Sequence, residues 1–107
     1  MYIIVEQAIN AEYLTIRFMG WEKNDPRHIT GFVEFFEKKI KPCLLQIKDI
    51  KEASISKGDV GSFVGVQILL TSSDCTDTVI SQLKTKLAEI ILFDSVSYKP
   101  LPLIDYL

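Results

Sequence analysis

The chain contains one histidine, His28, and two cysteines, Cys43 and Cys75, so chemistry that needs a soft ligand or an activated nucleophile rests on three residues. Their spacing matches no zinc-binding pattern. No Gly-x-Ser-x-Gly, Cys-His or His-Glu-x-x-His pattern gives His28 a nucleophile or an orienting partner. His28 falls in the first turn of a predicted helix, where the helix dipole disfavours the protonated imidazole and makes it a poor acid. Two carboxylate pairs have spacing suited to acid–base work. Glu34 and Glu37 share the polar face of a predicted helix beside lysines. Asp74 and Asp77 read as a cap and a first-turn acid of a second helix. The run Lys57-Gly58-Asp59-Val60-Gly61-Ser62 places glycines near a lysine, but it lacks the P-loop and dinucleotide spacings and precedes no helix. The expectation is a chain with no catalytic residues, no metal ligands and no cofactor.

Binding residues are easier to find. Trp21 stands in a predicted loop with Glu22 and Asp25, an aromatic residue among carboxylates of the kind enriched at interface hot spots. With Asp74 and Asp77, these residues form the candidate partner-binding set. The alternative is a nucleic-acid patch. Lys38, Lys39, Lys41, Lys48, Lys51 and Lys57 face only Asp49 and Glu52 within their segment, and Lys38, Lys39 and Lys41 are its densest part. The chain as a whole has net charge −2, so no global field draws it to nucleic acid or anionic lipid.

The elements that must position these residues follow from periodicity. Tyr2 to Glu6 reads as a strand, Gln7 to Glu12 as a turn, and Tyr13 to Met19 as a strand that alternates Leu14, Ile16 and Phe18 with polar residues. Asp25-Pro26 starts a helix whose stripe is Ile29, Phe32, Val33, Phe36 and Ile40, and Pro42 is expected to stop it. Residues 47–57 form a weaker strand. Residues 63–71 are apolar on both faces, the mark of a central strand. A second helix follows with Val79, Leu83, Leu87 and Ile90 inward, and then a strand through Val96 and Tyr98. Pro100 and Pro102 bar the tail from the middle of a sheet. The predicted core includes Phe32, Phe36, Val66, Ile68, Leu83 and Leu87.

The order β-β-α-β-β-α-β is that of an α+β domain. Without its first strand it is similar to the split-βαβ plait of ferredoxin-like folds, with two helices on a mostly antiparallel sheet. The extra N-terminal strand belongs at a sheet edge or marks a variant topology. At 107 residues and 48% hydrophobic, the chain has material for one domain with a core. No apolar run approaches the ~18 residues of a membrane span. Met1 to Val5 meets Glu6 with no basic leader, so the expected location is the cytoplasm, with both thiols reduced.

Lys57-Gly58 through Phe63-Val64-Gly65-Val66 resembles the third-strand signature of the RNA-recognition motif, but of its stacking positions only Phe63 is aromatic. The preferred expectation is a non-catalytic module that binds another protein. In size, charge and lack of motifs it is similar to immunity proteins and antitoxins that neutralise toxic partners such as nucleases. Cationic nucleases and acidic inhibitors attract each other by charge. The other readings are an RNA-binding or small-ligand regulatory plait, and a subunit docking through Leu101, Leu103, Ile104, Tyr106 and Leu107.

Overall fold

The computed structural model describes residues 2–8, 11–19, 26–55 and 64–101, with only the backbone described at 26–30, 64 and 101. The elements are β1 (Tyr2–Ala8), β2 (Tyr13–Met19), α1 (Pro26–Phe35), a π-helical turn (Phe36–Ile40), α2 (Lys41–Leu44), β3 (Ile50–Ile55), β4 (Val64–Leu70), a 3-10 turn (Ser73–Cys75), α3 (Thr76–Ala88) and β5 (Val96–Leu101). The strands form one sheet in the order β3-β4-β2-β1-β5. Every neighbouring pair is antiparallel except β1 with β5, which is parallel. The fold is α+β with two helical segments on a mostly antiparallel sheet. The first strand does not lie at an edge. It is inserted between β2 and β5, so the chain is a variant of the plait order. β4, apolar on both faces, is internal, as such strands usually are.

Alternation assigns the two faces of the sheet. Ile3 and Val5 of β1, Leu14, Ile16 and Phe18 of β2, and Val66, Ile68 and Leu70 of β4 are all at most 1% exposed and share one face. The helical segments cover that face with Phe32, Phe36, Ile40, Leu44, Val79, Leu83 and Leu87. Phe18 and Phe32 meet with ring centroids 5.6 Å apart, tilted by 57°, an arrangement aromatic pairs favour. All six predicted core residues are buried.

Two expectations for the first helical segment fail for one reason. Its buried stripe is Phe32, Phe36, Ile40 and Leu44, spaced four apart. On an uninterrupted α-helix, at about 100° per residue, Leu44 would stand ~120° round from Phe32. The π turn takes up one extra residue, with the Lys41 N–H donating to the Phe36 carbonyl, and this cuts the drift to ~20°. Val33 is therefore not part of the stripe; it is one position past Phe32 and 42% exposed. Pro42 does not stop the helix either. It lies just past the π turn, in the first turn of α2, with Ile40 before it already helical, so it is accommodated by the re-phased ladder and not by a free helix start.

β1 is longer than the pattern Tyr2 to Glu6 implies, because Gln7 is not a turn residue. Its amide donates to the Thr76 hydroxyl at 2.9 Å and to the Ala11 carbonyl at 2.9 Å. Its carbonyl oxygen accepts from the Tyr98 hydroxyl at 2.7 Å. Thr76 in turn donates to the Ser73 carbonyl. These bonds join β1, β5 and the start of α3 around a glutamine only 7% exposed. β5 takes Pro100 into its pairing with β1, which an edge strand permits.

Phe36→Ala should lower stability by about 3–5 kcal/mol in denaturant titration; a loss under ~1 kcal/mol would mean the helix presents another face. Tyr98→Phe leaves the Gln7 oxygen without its donor and should cost about 1–3 kcal/mol. An unchanged unfolding midpoint would mean that water already reaches Gln7.

Candidate functional site

The sequence-predicted site residues separate into groups. Trp21, Glu22 and Asp25 lie outside the described residues. Asp74 and Asp77 are both exposed, one in the 3-10 turn and the other in the first turn of α3. Asp77 is the first-turn acid expected. Asp74 is not the cap of α3, whose N-cap position is Cys75 with no side-chain cap. Asp74 lies inside the 3-10 turn, which Ser72 caps by accepting from the Asp74 N–H at 3.1 Å. Lys38 and Lys39 are exposed on the π turn, and Lys41 is half-buried where α2 begins. These lysines belong to the helical layer.

The thiols are placed differently from each other. Cys43 is buried, and its Sγ donates to the Lys86 carbonyl at 3.3 Å. Burial pushes this thiol above its ordinary range, Glu89 adds to the rise, and Lys86 opposes it. Such a thiol is a poor nucleophile. Cys75 is half-buried and donates to the Ser72 carbonyl at 2.9 Å. Among the described residues, no group of three or more His, Cys, Asp or Glu is placed to hold a metal ion, and no helix is long and apolar enough to cross a membrane.

The sheet face turned away from the helices is the more distinctive surface. Register puts Lys99, Glu6, Thr15, Gln67 and Ser54 in one row, one residue from each strand. At strand spacing this polar row is roughly 19 Å long. Within it Glu6 is 8% exposed and forms an ion pair with Arg17 on the next strand. Arg17 Nε is buried beside this carboxylate. Exposed apolar groups stand on both sides of the row: Tyr2 on one, Tyr13 and Leu69 on the other, each 37–47% exposed.

Tyr13, Glu52, Ser54, Gln67 and Leu69 enclose a shallow concavity of about 220 Å³ on this face. β2, β4 and β3 position it through the register Tyr13↔Leu69↔Glu52 and Gln67↔Ser54. A bulge at Lys51 shifts Glu52 into line with Leu69. The side chains of Glu52, Ser54 and Gln67 make no hydrogen bond or ion pair among the described residues. Sequence reasoning missed this group. Tyr13 was legible as outward-facing from alternation, but its neighbours come from residues about 40 and 55 positions on, and only the strand order joins them.

Neither a family model, nor a curated protein, nor a solved structure matches the chain.

Proposed function

We propose that this chain is a non-catalytic module that binds another protein and acts as an inhibitor of the immunity or antitoxin type, with a cationic partner such as a nuclease. The observation that carries the reading is the sheet face that bears no described helix, where Tyr2, Tyr13 and Leu69 surround a polar row with a partly buried ion pair. Solvent-exposed tyrosines beside arginine are the side chains that dominate binding energy at protein interfaces. The net charge of −2 favours a basic partner. Both edges of the sheet are poor templates for a further strand. β3 carries the Lys51 bulge, and β5 carries Lys99 and Pro100. The carboxylates of Glu22, Asp25, Asp74 and Asp77 would steer association.

An RNA-binding reading has Lys38, Lys39 and Lys41 in its favour. They lie on the helical layer, away from Tyr2 and Tyr13, so phosphate-holding charge and stacking rings do not share a surface.

The test is affinity capture from native-host extract at 150 mM salt, followed by reconstitution with the purified partner. A stoichiometric basic protein is expected, and Tyr13→Ala should weaken its binding by about 2 kcal/mol, some 30-fold. Capture of nuclease-sensitive RNA that is lost in the triple variant Lys38→Glu, Lys39→Glu, Lys41→Glu would replace the inhibitor reading.

A further inference from the structure

We infer that the concavity bounded by Tyr13, Glu52, Ser54, Gln67 and Leu69 is a socket for one arginine side chain of a protein partner. The inference rests on the protein-binding reading and names its contact point.

Size sets the first limit. Small-molecule and cofactor sites occupy about 300–1,000 Å³. A concavity of about 220 Å³ is below that range and suits a single side chain. Chemistry sets the second. The one charged group in the lining is the Glu52 carboxylate, which is exposed. The Gln67 amide oxygen and the Ser54 hydroxyl add acceptors, and none of the three is used among the described residues. A guanidinium carries five donors in a planar fork and no acceptor. It can take both Glu52 oxygens at once, give a remaining N–H to Gln67 or Ser54, and lie against the Tyr13 ring as a cation–π partner. Leu69 would pack on its methylene stem. Lysine offers a compact charge that is more strongly hydrated and neither forks nor stacks, so arginine is the better fit.

Charge near the socket is mixed but permissive. β2 begins, β4 ends and β3 begins at this end of the sheet. Exposed Glu12 and half-buried Asp49 adjoin these strand ends, against exposed Lys48 and Lys51. Lys51 stands next to Glu52 in the chain but does not line the concavity.

The probe is N-acetyl-arginine amide, titrated into the isotope-labelled whole chain and followed by amide chemical shifts. N-acetyl-citrulline amide, which has nearly the same shape without the charge, is the control. Saturable shifts centred on Tyr13, Glu52, Ser54, Gln67 and Leu69 are expected, with a dissociation constant on the order of millimolar. The citrulline compound should bind at least ~10-fold more weakly, and Glu52→Gln should lose at least ~10-fold in arginine affinity. Glu52 is exposed, so an unchanged spectrum elsewhere will show the variant folded. Shifts that do not saturate, equal shifts with citrulline, or unaltered affinity in Glu52→Gln would each overturn the socket. No partner protein is needed, which separates the two claims. A failed titration with a captured partner removes the socket and leaves the inhibitor reading, and a successful titration without one does the reverse.

Discussion

The structure depends on the placement of β1 between β2 and β5. Its parallel pairing with β5 brings the last described strand back to the first and makes the sheet five strands wide. Residues on an internal strand must satisfy neighbours on both sides, and β1 does so with different chemistry at each position. Ile3 and Val5 enter the core, Gln7 bonds to Thr76 and Tyr98, and Glu6 turns to the other face and pairs with Arg17. The same strand thus supplies apolar burial to one layer and the charge at the centre of the other.

The two faces differ in burial and chemistry. The face toward the helices is closed, and its residues are fixed in type by volume and burial. The other bears no described helix and holds a polar row flanked by tyrosines. A sheet with one solvated face normally alternates simple polar residues there. Here the outward positions include Tyr2, Tyr13 and Leu69, whose apolar area gains free energy when covered. That area, on a face shared with the polar row, is what the proposal of a binding face rests on; Val33, Leu45, Leu92 and Tyr98 are exposed elsewhere.

Much of the fold was legible in local patterns. The alternation of Leu14, Ile16 and Phe18, the two-sided apolar run into Leu70 and the stripe Val79, Leu83 and Leu87 each identified an element and its inward face. Local patterns misplace features whose cause is a change of period or a distant partner. Val33 and Pro42 were misjudged because a π turn re-phases the helix, and nothing in residues 36–40 alone announces it. Gln7 looked like a turn residue because Thr76 and Tyr98, which satisfy it, are 69 and 91 positions away. The candidate site was less legible than the fold. Its lining residues come from three strands, and periodicity gives faces but not strand order.

The most direct test of this account is amide hydrogen exchange along β1. The Ile3 amide donates to the Ser95 carbonyl, so by alternation the amides of Val5 and Gln7 also point toward β5. In the inserted arrangement they should exchange as slowly as Val66 and Ile68 of β4, near the rate set by global unfolding. Exchange orders of magnitude faster at Val5 and Gln7 than at Ile4 and Glu6, together with fast exchange in β5, would place the first strand at an edge and contradict the inserted arrangement.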